Sequence, residues 1–148
     1  MIVRRERTID QAAARAVHVN AFDNGDGEPA EARLVDDLRE CDGWIPALSW
    51  VVETQGRVVG HNVCTRGHVG NVPCLGLGPI GVESDAQRAG IGSALMHAMI
   101  GAADASGEPL IALLGDPSYY SRFGFFPSTE IGVQAPDPTW DVHLEYCR

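Results

Sequence analysis

The sequence predicts an α+β fold, a sheet sandwiched by helices, from three observations. Strand-like and helix-like segments follow in mixed order: a strand, two helices, three strands, a helix, a strand, a short helix and further strands. The three central strand signals are separated by a tight turn and a loop of glycines and asparagine. One long helix carries Ile91, Leu95 and Met99 at i, i+4 and i+8, a single stripe for one sheet face.

Each element has a local reason. Ile2 to Thr8 alternates weakly and reads as a first strand. Asp10 is placed to cap a helix from about Gln11 to Phe22, where alanines favour helix. The run Asp23-Asn24-Gly25-Asp26-Gly27 breaks it. A second helix, about Pro29 to Cys41, starts on a proline and carries Ala32, Leu34, Val35 and Leu38; Gly43 and Pro46 end that region. Leu48 to Thr54 and Arg57 to Thr65 form a hairpin about Gln55-Gly56. A loop with Gly67, Gly70 and Asn71 leads into a strand from Pro73 to Val82. The long helix runs from near Gly90 to Asp104 and stops at Ser106-Gly107. Pro109 to Leu114 has buried-strand character. Asp116 caps a short helix at Pro117 to Phe123, and Gly132 to Gln134 and Val142 to Tyr146 read as strands.

The 148 residues suit one domain, 1–148, and 45% hydrophobic residues suffice for a core. No apolar run reaches membrane-spanning length and no signal-peptide core follows Met1, so a cytoplasmic location is expected. The net charge is −9, and all 11 basic residues are arginines. A chain without lysine has no P-loop lysine and no Schiff base. Its acidity disfavours nucleic acid, which demands a dense cationic face. Acidity suits a cationic acceptor, although it also serves solubility. Cys41, Cys64, Cys74 and Cys147 lack metal or redox spacing and read as free thiols, Cys64 and Cys74 near each other across a hairpin. The five histidines show no ligand spacing, and no metal is expected.

Two glycine clusters compete for attention. Gly76-x-Gly78-x-x-Gly81 spells a dinucleotide fingerprint, but its glycines lie inside a strand with Pro79 among them and open no helix. They read partly as a bulged or bent strand, with pairing interrupted at Pro79, and partly as glycines that let a ligand's backbone approach closely. The second cluster, Gln87-Arg88-Ala89-Gly90-Ile91-Gly92-Ser93, joins a strand end to the long helix. A helix start offers unpaired N–H groups and a positive dipole end, and small residues there leave room for a diphosphate. Arg88 adds charge.

The stretch Ile80-x-Val82-x-x-x-x-Gln87-Arg88-x-Gly90-Ile91-Gly92-Ser93-x-Leu95 resembles the central motif of the GNAT superfamily of acetyl-CoA-dependent N-acetyltransferases. Ser84 stands where many members have proline. Gly115-Asp116-Pro117-Ser118-Tyr119-Tyr120-Ser121-Arg122-Phe123-Gly124-Phe125 is similar to the branch of that family carrying Gly-Asp-Pro-x-Tyr-Tyr-x-x-Phe-Gly-Phe. Together the matches cover about Leu75 to Phe125.

The resemblance implies a mixed, mostly antiparallel sheet of six to seven strands with about four helices, splayed between the fourth and fifth strands. It implies acetyl-CoA as co-substrate. Gln87, Arg88, Ala89, Gly90, Ile91, Gly92 and Ser93 would hold the diphosphate; Ile80, Gly81 and Val82 would pair with the pantetheine arm and polarise the thioester. Tyr120, four residues before Gly124, would touch the coenzyme sulfur and protonate it, as a phenol with an ordinary pKa near 10 is able to do. Arg122 is either a phosphate contact or an exposed arginine. Glu83 is nearest in sequence to the expected carbonyl site and is the candidate base. Like Glu28, Glu31, Glu53 and His61, however, it reads first as a solvated residue, and ordered water is an alternative base. The acceptor would be a small-molecule or peptide amine. Family members often form homodimers. Trp44, Trp50 and Trp140 read as core or dimer contacts before pocket walls. An acyl-CoA-binding sensor without catalysis is the alternative function.

Overall fold

The computed structural model describes residues 1–135 and 144–147. Their sheet has seven strands in the order β1-β2-β3-β4-β5-β7-β6. β1 (Ile2–Arg5), β2 (Trp44–Thr54), β3 (Arg57–Val69) and β4 (Val72–Val82) are successively antiparallel. β5 (Ile111–Leu114) is parallel to β4, and β7 (Leu144–Cys147) and β6 (Phe126–Pro127) complete the far edge. The helices are α1 (Gln11–Ala21), α2 (Ala30–Glu40), α3 (Ile91–Ala105) and the one-turn α4 (Pro117–Tyr120). This is the splayed α+β architecture expected.

Side-chain alternation along the strands divides the sheet into two unlike faces. On one, Val52 and Val59 meet Ile91 and Leu95 of α3, while Leu48, Cys64, Leu75, Leu77, Ile111 and Leu113 meet Met96 and Met99. The Ile91, Leu95 and Met99 stripe is buried, with Met96 beside it. Trp50 packs against the same core, and Trp44 lies under the Arg39 guanidinium at 4.8 Å. On the other face, α1 sets His18 against His61 of β3, with Ser49 of β2 also buried beside it.

Several expectations need correction. Asp10 precedes α1 but caps nothing there; its carboxylate accepts from Arg4 at 2.7 and 3.0 Å and from the Arg7 N–H at 2.7 Å. These partners hold its pKa well below the usual carboxylate range, the Arg4 hydrogen bond foremost. Pro46 does not end its region but lies in β2, where the β2–β3 register shifts between Trp44 and Ser49. Gly67 is within β3, opposite Cys74, and the turn is Gly70-Asn71 alone. Gly132 to Gln134 is not a strand: a 3₁₀ turn at Ser128–Ile131 ends on Gly132 in the left-handed region, and the edge strand is Phe126–Pro127 instead. Cys64 and Cys74 are buried free thiols, opposite Leu77 and Gly67 respectively. Trp140, Val142 and His143 lie outside the described residues.

Candidate active site

The site begins at an interruption in β4. Asn62 faces Ile80 but Cys64 faces Leu77, so Gly78 and Pro79 insert one extra residue against β3. This is the bulge that Pro79, without an N–H, and its neighbouring glycine favour. β5 pairs only with Leu75 to Leu77. Beyond that, the far edge of β4 has no strand partner among the described residues. The Glu83 N–H donates to the Val59 carbonyl at 2.8 Å, so Gly81 also faces β3 by alternation. Ile80 and Val82 therefore turn their backbone groups into the splay. A Gln87 side-chain N–H takes the Val82 carbonyl at 3.2 Å and closes the turn that follows.

That turn ends at the N-terminus of α3. Arg88 (φ 65°) and Gly90 (φ 79°) are both left-handed, which bends the chain sharply into the helix. Gly90 has no side chain to cap the helix, and its carbonyl accepts from Ala94. The N–H groups of Ile91, Gly92 and Ser93 are the first three of the helix and have no intrahelical partner. A Cβ on Gly92 would lie 3.1 Å from the Tyr119 hydroxyl, so glycine keeps the space between helix and tyrosine open.

A cavity of about 510 Å³ joins these parts. Ile80, Gly81, Val82, Gln87, Arg88, Gly90, Ile91, Gly92 and Ser93 of the sequence-read cradle all line it. Ala89 does not; it is exposed on the outside of the turn. Tyr119 and Arg122 close the opposite wall, with Ala21 and Phe22 at the end of α1. The Arg122 guanidinium sits 4.6 Å above the Tyr119 ring, and its Nε–H donates to the Tyr119 carbonyl at 2.9 Å. Backbone amides and a helix dipole thus favour an anion here, with Arg88 and Arg122 among the lining residues.

Tyr120 belongs to a second cavity, of about 580 Å³, which shares Phe22 and Ile80 with the first. Asp116 accepts from the Ser118 N–H at 2.9 Å and starts α4 as expected. The two tyrosine rings meet edge to face at 4.9 Å and so face different cavities. The Tyr120 ring lies so close to the Gly115 backbone that any Cβ there would collide with it.

Glu83 and His61 are not the solvated residues expected. Glu83 is buried; both its oxygens accept from the Asn20 side-chain amide, at 3.0 and 3.1 Å, and it lines neither cavity. It ties α1 to the end of β4. His61 bonds to His18 at 2.7 Å and to Ser49 at 2.8 Å. The proton positions follow by elimination. Ser49 gives its hydroxyl proton to Glu6 at 3.0 Å, so His61 Nε2–H donates to Ser49 and His61 Nδ1 accepts from His18 Nε2–H. His18 Nδ1 is left as a buried acceptor without a protein partner among the described residues. It sits against Gly81, where a Cβ would come within 2.7 Å of it. Burial lowers both imidazoles from 6.5 to about 3, helped at His18 by His61 and at both by Arg39. The Glu6 carboxylate, 3.6 Å from His61, therefore faces a neutral ring, and its ion pair is with Arg39 at 2.6 Å. No sequence signal identified this chain, whose members are scattered from residue 6 to residue 61.

A region matching an acetyltransferase (GNAT) domain spans residues 46–127. The uncharacterized N-acetyltransferase YhbS of Escherichia coli K12 is 30% identical over 129 residues, 84% of this chain and 73% of that protein. The uncharacterized N-acetyltransferase YjhQ of the same organism is 32% identical over 139 residues, 90% and 75% of the two chains. The crystal structure of E. coli YhbS in complex with CoA superposes with a TM-score of 0.89 at 26% identity, covering 99% of this chain and 80% of that one. A Brucella melitensis GNAT family acetyltransferase in complex with acetyl-CoA gives 0.77 at 34% identity, covering 84% and 82%. The chain belongs to the GNAT acetyltransferase family. It is an acyltransferase.

Proposed function

We propose that residues 1–148 act as one domain that moves the acetyl group of acetyl-CoA to a primary amine by direct attack. The observation that carries this is continuity: one cavity runs from the free amides of Ile91, Gly92 and Ser93 to the strandless edge of β4 at Ile80 and Val82. A diphosphate and an amide-bearing arm need those two surfaces in that order. The CoA and acetyl-CoA complexes of the two similar structures support the same reading.

Acetyl-CoA supplies an activated acyl thioester. Arg88, Arg122 and the α3 amides hold its anionic end, and Gly92 leaves room for it. The N–H groups of Ile80 and Val82 face the splay and polarise the thioester oxygen. The acceptor ammonium first loses a proton to solvent. Its nitrogen then forms the new C–N bond as C–S breaks. Tyr120 gives its phenolic proton to the departing sulfur, and the proton shed by the new amide nitrogen restores the phenol. Tyr120 is assigned this role over Tyr119 because its cavity meets the first at Ile80; Tyr119 stands over the diphosphate end. Glu83 is left out as base, since Asn20 occupies it. Most of the acceleration comes from positioning. A cytoplasmic location suits both the co-substrate and the free thiols Cys64 and Cys74.

The test is a screen of amines for thiol release from acetyl-CoA, run beside calorimetry of CoA binding. Binding with acetyl transfer is expected. Binding without transfer to any amine would favour a sensor.

A further inference from the structure

The second cavity is built differently from the first, and the difference names a class of acceptor. On α2 the core takes Ala32 and Val35, both fully buried. A second stripe, Glu31, Leu34 and Leu38, lies at spacings of three and four and faces the cavity instead. Leu34 is 44% exposed there, so α2 carries apolar surface that the core does not use. Gly76, Ala112 and Leu114 form the opposite wall, from the two strands that splay. Glu31 is the one charged side chain among the described lining residues, none of which is an arginine. Among the described residues, no hydrogen bond or ion pair to the Glu31 carboxylate is found.

We propose that this cavity selects an apolar primary monoamine as the acetyl acceptor, with Glu31 drawing in its ammonium group and α2 packing its hydrocarbon. The proposal rests on the acetyl-transfer reading above, since Phe22 and Ile80 place the cavity at the reactive end of the first. A carboxylate-bearing amine would meet Glu31 with like charge. A polyamine or amino alcohol would bury polar groups against leucines with few partners, a penalty an alkyl or aryl amine avoids. An apolar wall with one carboxylate fits an alkyl or aryl amine, and a space of about 580 Å³ admits a phenyl- or hexyl-sized one with room to spare.

The experiment uses the whole protein saturated with acetyl-CoA. The kcat/KM for 2-phenylethylamine and hexylamine is compared with that for ethanolamine, putrescine and lysine. The apolar pair should lead by about 10²-fold or more. Glu31→Gln should raise KM for 2-phenylethylamine about tenfold while CoA affinity stays within about twofold. Leu34 is exposed, so Leu34→Asn should fold, and it should weaken binding of the uncharged isostere 2-phenylethanol; Glu31→Gln should not. Equal turnover of putrescine or lysine, or an unchanged KM in Glu31→Gln, overturns the proposal while acetyl transfer stands. A preference for octanoyl-CoA without preference among amines makes the space an acyl pocket and overturns it too. Failure to bind CoA would defeat the functional reading and this inference together.

Discussion

The two cavities meet at Phe22 and Ile80 but are made of different material. The first is made of backbone: helix-start amides, a left-handed turn and an unpaired strand edge, with arginines at its mouth. The second is made largely of side chains, from Phe22 after α1 and from α2, β3, β4, β5 and α4, mostly apolar, with one carboxylate among the described residues. A diphosphate-bearing arm is a fixed shape best met by preorganised backbone, whereas an acceptor is met by side chains that substitution can change. The comparison teaches that one end of this enzyme is set by chain geometry and the other by residue choice.

The sharpest way to break that division is Tyr120→Phe. It should lower kcat by about 10³-fold, within the range for general acid catalysis, and leave the CoA dissociation constant unchanged. Calorimetry and single-turnover thiol release check it; unchanged turnover would move the acid elsewhere.

Next in size is acid. Both cavities share α1 through Phe22, and α1 is seated by the neutral His18–His61 pair. These imidazoles have folded values depressed from 6.5 to about 3, so the unfolded chain binds protons first. Their contribution to stability is complete above pH 6.5 and is lost as pH falls toward 3. Two units below the ordinary value, one such imidazole should cost about 2.7 kcal/mol. Urea melts from pH 7 to pH 4.5 should show that loss, and His61→Gln should flatten it.

Gly92→Val should weaken CoA binding about tenfold, since its branches fill the gap before the Tyr119 hydroxyl, while a ligand of the second cavity binds as before. The smallest expected effect is Arg122→Ala. An exposed arginine on an exposed phosphate should matter about threefold in CoA affinity, and less at high salt. Titrations at two ionic strengths decide it.

The legibility of the sequence follows the same line. The long helix showed itself through Ile91, Leu95 and Met99, and the hairpin through Gln55-Gly56, a tight turn with positive φ values of 51° and 74°, the second at a glycine that adopts it freely. The glycine turn before α3 was readable because a sharp turn permits few residue types. Pro46 misled because proline reads as the boundary that closes a helical region, whereas an irregular register admitted it inside β2. Gly132 misled because its β-forming neighbour Val133 outweighed a helix-ending glycine. Glu83 and His61 misled because the burial of a polar side chain depends on what packs over it, here α1 with Asn20 and His18.

By itself the sequence determined the order of elements, the GNAT family through its two motifs, and the turn that opens α3. Such features are local, fixed by periodicity, φ and side-chain bulk within a few residues. Only the tertiary structure decided that Tyr119 and Tyr120 face different cavities, that Glu83 is occupied by Asn20, and that Glu31 stands among leucines. Those depend on helices packed across a sheet, where residues distant in the chain become neighbours and burial settles which polar groups are paired.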